Sequence, residues 1–197
     1  DGLKRLYAFI EKAGKPLYIS LTWNSENRFG GGAWTKTGLK PDGKRLLEEL
    51  HQRRIAIDLS HASDALAYDI IDFIEGNGLE IPLMASHSNS RAILSAPRNL
   101  PDEIAREIFQ RGGVIGLMLC RQFIGETEEA ILNHLAHWLE LGGENHICLG
   151  ADFYYEEDLP RHLRQTDNSF FKSYQNAACY KKLMNFFQKE LRISSST

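Results

Sequence analysis

RIAIDLSHASD, residues 54–64, is an apolar run that breaks into Asp58, Ser60 and His61 just before a stretch with helical periodicity. Apolar residues in an unbroken row read as a strand buried on both faces, and such strands belong to parallel sheets covered by helices. The same grammar returns in IPLMASHSNS, residues 81–90, where His87 closes an apolar run. It returns again in HICLGAD, residues 146–152, which closes on Asp152. Three ionisable groups at the ends of three candidate strands point to a site.

Outward from this stretch, Ser63 is placed to cap the next helix, in which Leu66, Ile70, Ile71 and Ile74 recur at helical spacing until Gly76, Asn77 and Gly78 stop it. Upstream, Pro41 and Asp42 open a helix to about Arg53, with Leu46, Leu47 and Leu50 as its buried stripe. LYISLTW, residues 17–23, reads as strand, and Leu3, Leu6, Phe9 and Ile10 share one face of a first helix over 2–13. Between them NSENRFGGGAWTKTG, residues 24–38, is a long loop. Its three glycines do not lead from a strand into a helix, so they are no phosphate-binding fingerprint.

Downstream, Pro101 opens a helix to about Arg111 that buries Ile104, Ile108 and Phe109. GGVIGLML, residues 112–119, is a strand whose lack of alternation predicts burial on both faces. A helix over 127–141 buries Ile131, Leu135 and Trp138 or Leu139, and a strand follows over 147–151. An aromatic loop over 153–171 leads to one or two helices between 173 and 191, and only the last five residues, ISSST, read as disordered.

Five strands alternating with helices are the pattern of an α/β parallel sheet. Their carboxyl ends fall near Trp23, His61, His87, Leu119 and Asp152, roughly 30 residues apart, and eight such units need about 250 residues, the size of a closed (β/α)8 TIM-type barrel. The expectation is therefore a single domain over 1–197 that supplies about the last five β/α units of such a barrel, with about three units missing at its front. The start at Asp1 rather than Met agrees with a processed, excised or incomplete amino end. In open sheets and barrels alike, the carboxyl ends of parallel strands share one face, where active sites form.

An apolar fraction of 43% and a formal charge of −3 fit a folded chain and give no basic surface for nucleic acid. Cys120, Cys148 and Cys179 are odd in number and form no CxxC, which points to a reducing, cytoplasmic setting and away from a disulfide scaffold. No apolar run is long enough to span a bilayer, and the amino end from Asp1 shows no basic-then-apolar pattern, which says little about the parent protein.

His61 and His87 lie one strand-to-strand excursion apart, and imidazoles at neighbouring strand ends suit Zn²⁺ with a nearby carboxylate, Asp152, to complete the shell or move a proton. Asp58 either orients His61 or hydrogen-bonds backbone within the turn. Ser60, Ser86 and Ser88 flank the histidines, but none stands in GxSxG. Arg98, before a helix, reads as a bidentate carboxylate clamp or as a surface ion pair. His134 and His137, three apart on a helix without a third ligand, read as a partly exposed face.

In order and spacing, LYISLTWNSEN, GLKPDGKRLLEELHQRRIAIDLSHASD, PLMASHSNSRAILSAPRNLPDEI, RGGVIGLML and ICLGADF resemble the renal (membrane) dipeptidase family, relatives within the amidohydrolase-like barrels. The resemblance runs from about residue 1 to 155. It implies a (β/α)8 barrel with two zinc ions that cleaves dipeptides bearing a free carboxylate. His61 and His87 would then be ligands to one zinc. Arg98, with Trp23 and Asn99, would bind the substrate, and Asp152 would handle the proton. The family's remaining ligands, a His-x-Asp and a bridging Glu, match nothing here and would precede residue 1, so one partial metal site is expected. Trp23 stands where many members have a histidine, Cys120 about where others have a tyrosine, and Tyr154 where a second Asp is common. Those changes keep two alternatives open: a catalytically inactive barrel scaffold or binding protein, and another metal-dependent amide hydrolase. The expected partners are a small dipeptide and no nucleic acid, with a homodimer or a missing N-terminal segment left open.

Overall fold

Three apolar side chains that alternate with small or polar ones explain why residues 55–59 form a strand that water cannot reach. Ile55, Ile57 and Leu59 are all buried, and the run ends on Asp58 and Ser60, which are buried as well. The computed structural model describes residues 2–159 and 169–191. Within them the helices are α1 (Gly2–Ala13), α2 (Pro41–Leu50), α3 (Asp64–Gly76), α4 (Asp102–Gln110), α5 (Arg121–Ile124), α6 (Glu129–Glu140) and α7 (Tyr180–Leu191). The strands are β1 (Tyr18–Ser20), β2 (Ala56–Asp58), β3 (Leu83–Ser88), β4 (Ile115–Leu117) and β5 (Ile147–Leu149). They form a parallel α/β sheet in the order β1-β2-β3-β4-β5.

The chain divides into two compact units, one reaching to Ser86 and including Arg106–Val114, the other comprising His87–Ala105 and the residues from Ile115 onward. In the first unit β1 pairs with β2 and β2 with β3, Ser20 standing opposite Asp58 and Asp58 opposite Met84. The expected stripes are its core: Leu46, Leu47 and Leu50 of α2, and Leu66, Ile70, Ile71 and Ile74 of α3, are all buried. Ser63 caps α3 as expected, its hydroxyl accepting from Leu66 N–H at 3.0 Å. Gly113 is required here by close approach, since a Cβ at that position would meet Leu83 O at 2.0 Å. The first helix forms over 2–13, yet it has no buried residue and Phe9 stays exposed.

In the second unit β4 and β5 pair from Ile115–Ile147 to Leu117–Leu149. All three residues of β4 are buried, as its unbroken apolar sequence predicts. Of the two alternatives on α6, Trp138 is the fully buried one, beside Ile131 and Leu135. Periodicity misses α5, which at four residues is too short to show a repeat. The expected helices near the carboxyl end are a 3-10 turn, Ala177–Cys179, followed directly by α7. The middle of the aromatic loop, 160–168, and the ISSST tail lie outside the described residues.

One expectation is overturned. His134 does not belong to an exposed face: it is 0% exposed. The reason is that both ring nitrogens are used, Nδ1 accepting from Ser90 N–H at 3.0 Å and Nε2 donating to Ile124 O at 3.0 Å. Such pairing removes the cost of burying an imidazole, and spacing alone could not reveal it. His137 is partly exposed and faces Asp102 at 2.9 Å.

Asp58 draws β1, β2 and β3 together. Its Oδ1 accepts from Ser60 N–H at 3.0 Å and Ser86 N–H at 2.8 Å, and its Oδ2 accepts from the hydroxyls of Ser20 and Ser86, both at 2.7 Å. The two oxygens are not equivalent, because backbone N–H groups can only donate whereas hydroxyls can turn and accept. Asp58→Asn, with its carbonyl on the backbone donors and its NH2 toward the serines, is expected to cost about 1 kcal/mol. Asp58→Ala strands the buried donors and should cost about 3 kcal/mol or more. Urea unfolding of both variants checks this, and equal losses would contradict the assignment.

Candidate functional site

His61 follows the end of β2 by three residues and holds a left-handed backbone, φ 66°, uncommon for a residue with a side chain. Asp152 follows β5 by three residues at φ 60°. Of the other non-glycine residues with positive φ, Gln52 and Arg54 fall in the turn after α2. Left-handed side chains cluster where a loop must aim a functional group, so these two strand-end positions mark themselves from the backbone alone.

In the first unit, His61 Nδ1 lies 2.9 Å from Asn24 Oδ1. An amide oxygen only accepts, so Nδ1 carries a proton; in the neutral ring Nε2 then holds the lone pair with which an imidazole ligates a metal. Asn24 reaches this place because the glycine-rich loop doubles back: Ala33 N–H donates to Trp23 O, Trp34 N–H to Asn24 O, and Gly32 bridges to Ala62 beside His61. A Cβ on Gly32 would meet Trp23 O at 2.2 Å. The glycines therefore serve close backbone packing. Trp23, 58% exposed, sets its ring 6.1 Å from the His61 ring at a 47° tilt. Of the two roles open to Asp58, the structure shows the second, bonding to backbone N–H groups and serine hydroxyls.

In the second unit the structure brings His87, Arg98 and Asp152 into one electrostatic neighbourhood. His87 lies inside β3, one residue before its end, rather than beyond it. Arg98 is 4% exposed, with its guanidinium 5.7 Å over the Phe123 ring and one N–H donating to His87 O at 3.4 Å. Asp152 is exposed as a residue, yet its carboxyl is partly desolvated. That desolvation raises its pKa, and the charges of His87 and Arg98 pull it back. Cys120 belongs to the same neighbourhood. Burial pushes its thiol up to about 11, against hydrogen bonds from the Gln122 backbone and the Tyr154 side chain. Asn99 is fully buried and gives its amide donors to Leu94 O at 2.9 Å and Phe123 O at 2.8 Å. Among the described residues no three His, Cys, Asp or Glu side chains are grouped as a metal site needs.

The partners that sequence does not reveal are Asn24, Asn89 and His134. Asn24 sits next to the candidate substrate-facing tryptophan, but its pairing with His61 spans a long, irregular loop and leaves no spacing signal.

Comparison with known proteins adds a family to this geometry. The family model for the membrane dipeptidases, peptidase family M19, matches residues 9–169. A Klebsiella pneumoniae protein of uncharacterised function from the pqqA 5′ region is 31% identical over 147 residues, 66% of this chain and 52% of its own length. An uncharacterised dipeptidase of Schizosaccharomyces pombe is 28% identical over 148 residues, 69% of this chain and 34% of its own. The chain thus spans about half or less of these relatives.

Among solved structures, a metallopeptidase from Rhodobacter sphaeroides, liganded with a phosphinate mimic of the dipeptide L-Ala-D-Ala, superposes with a TM-score of 0.79 at 24% identity. That match covers 95% of this chain and 53% of the other. An amidohydrolase from Pseudomonas aeruginosa gives 0.79 at 20%, covering 96% and 62%. The sheet is therefore a partial (β/α) barrel of the kind these structures contain.

The Asn24–His61 contact makes a direct prediction. Nitrogen-15 NMR of the metal-free chain, at a pH about one unit above the ordinary histidine pKa, should show His61 as the Nδ1–H tautomer. Asn24→Ala should return it toward the Nε2–H form that dominates in free imidazole side chains. A His61 already in the Nε2–H form would contradict the geometry.

Proposed function

The chain belongs to the membrane dipeptidase family, peptidase family M19, and from that premise we propose that the whole protein hydrolyses the peptide bond of dipeptides bearing a free C-terminal carboxylate, with zinc as cofactor. The observation that carries the reading is His61, fixed at a strand end in a left-handed backbone with Nδ1 engaged by Asn24 Oδ1. The donor chemistry suits zinc, because a neutral imidazole with its second nitrogen held by an oxygen acceptor is the usual form of a zinc-binding histidine. His61 and His87 would hold the ion. They would be two ligands of a larger set, as the family resemblance implies. In this reading the chain supplies the later β/α units of a barrel, and the whole protein provides the other ligands. The Rhodobacter sphaeroides relative, with its dipeptide mimic, supports the substrate class.

Zinc, when bound, supplies a Lewis acid that polarises a carbonyl and acidifies water. The chain's own residues do the rest. Asp152, its carboxyl partly desolvated, holds the proton taken from water and passes it to the departing amine. Arg98 would meet the substrate carboxylate with its guanidinium as a planar fork. Asn99 fixes the loop that carries Arg98, and Trp23 offers an exposed aromatic face to the substrate beside His61. The three free cysteines suit a reducing, cytoplasmic setting. Among the described residues no helix is long and apolar enough to cross a membrane.

A second reading, an inactive scaffold or binding protein, draws on Trp23, Cys120 and Tyr154. A thiol held near 11 stays protonated at neutral pH and cannot act as a base. Zinc content and dipeptide hydrolysis of the whole protein decide between them. His61→Ala should strip metal and abolish kcat. Arg98→Lys should leave zinc content unchanged and raise KM for free dipeptides by roughly 10-fold to 100-fold, the loss of about 1.5–3 kcal/mol of charged hydrogen bonding, with little effect on carboxy-amidated counterparts. Equal effects on both substrates would remove the clamp.

A further inference from the structure

The excursion from His87 to Leu100 carries both His87 and Arg98, and what fixes its backbone lies outside the site residues themselves. Leu100 N–H donates to Asn89 O at 2.8 Å and Arg91 N–H to Leu100 O at 2.9 Å, which closes the loop on itself. Its anchorage to the rest of the unit includes three buried side chains, Asn89, His134 and Asn99, the last donating to Phe123 O at 2.8 Å. Asn89 behaves as one more residue of backbone: its Oδ1 accepts from Met118 N–H at 3.2 Å, and its Nδ2 donates to Met118 O at 3.1 Å and Phe123 O at 3.2 Å. His134, on α6, accepts from Ser90 N–H through Nδ1 and donates through Nε2 to Ile124 O.

The carbonyls used are those a helix cannot satisfy for itself. α5 has four residues, so Phe123 O and Ile124 O have no following turn to receive. Asn89, Asn99 and His134 supply the missing donors. The short helix is held by the loop, and the loop by the helix. Each ring nitrogen of His134 has one fixed role, and burial lowers its pKa to about 4, so the neutral ring persists at neutral pH.

We propose that His134 is a positioning residue for the metal-binding and carboxylate-binding loop: by accepting from Ser90 N–H while donating to Ile124 O, it sets the backbone from which His87 and Arg98 project. Asn89 shares the task from the β4 side. The functional part of this inference rests on the proposed roles of His87 and Arg98, whereas the latch itself does not.

Two conservative variants separate positioning from bulk stability, because each keeps one half of the ring's chemistry. His134→Asn places an oxygen near the position of Nδ1 and keeps the acceptor for Ser90. His134→Gln places an amide N–H near the position of Nε2 and keeps the donor for Ile124. In the metal-free chain, NMR should show wild-type His134 with a bare Nδ1, and a slowly exchanging Ser90 amide. His134→Asn should retain that slow exchange and the wild-type positions of the His87 ring and Arg98 Nε–H signals. His134→Gln should accelerate Ser90 exchange by about tenfold or more and move both signals. In the whole protein it should also raise KM for free dipeptides more than His134→Asn does.

If both variants leave the Ser90 exchange and the His87 and Arg98 signals unchanged, or change them alike, the positioning role is wrong. A wild-type ring protonated on Nδ1 would overturn it without any variant. Should wild type hydrolyse no dipeptide while the NMR results hold, the functional reading fails and the latch stands.

Discussion

A single buried carboxylate fixes the register of the first three strands. Asp58 is the last residue of β2, and a parallel ladder has no hairpin to set its alignment, so nothing local prevents β1 or β3 from sliding. The carboxylate removes that freedom by accepting from Ser20 at the end of β1 and from both the N–H and the hydroxyl of Ser86 in β3. It also accepts from Ser60 N–H, which turns the chain directly after β2. Shifting β1 or β3 back by one residue would put Ile19 or Ala85 in place of a serine and leave a buried charge unmatched, a cost of several kcal/mol. The same turn carries the chain into the left-handed backbone at His61. Register and site geometry in this unit therefore have one cause.

Burial explains why the strands could be read from sequence and the partners of Asp58 could not. Ile55, Ile57 and Leu59 declare themselves by alternation, and Ile115, Leu117, Met118 and Leu119 by a nearly continuous apolar run, because each is buried. The helical stripes of α2, α3, α4 and α6 are legible for the same reason, as each buried residue recurs with the turn. The Ser63 cap is legible because a cap is a local event within four residues. α1 is the instructive exception. Its apolar face is as regular as the others, but periodicity reports a capacity for burial, and here no residue of the helix is buried.

Polar contacts between segments distant in sequence follow no period. Asn24 and His61 are 37 residues apart, and Ser90 and His134 are 44 apart. Each pairing depends on where two loops arrive after folding, and the residues involved are types that sequence habitually assigns to turns or surfaces. His134 illustrates the error this produces. On a helix, spacing three from His137, it resembles a wetted face until the backbone of Ser90 and the carbonyl of Ile124 are placed beside it. Likewise α5 is specified less by its own four residues than by the side chains that donate to its exposed carbonyls.

These pairings decide the chemistry left to the second unit. A group can exchange protons at neutral pH only if neither its hydrogen bonds nor its burial lock it in one form. His134 is locked as a neutral ring by two fixed partners, and the Cys120 thiol is held neutral by burial with its pKa near 11. Arg98 stays cationic at any accessible pH. Asp152 differs from all three. Burial pushes its pKa upward, His87 and Arg98 pull it down, and its backbone is left-handed at φ 60°. Its pKa is thus set by the balance of burial against two neighbouring charges, with burial the larger influence.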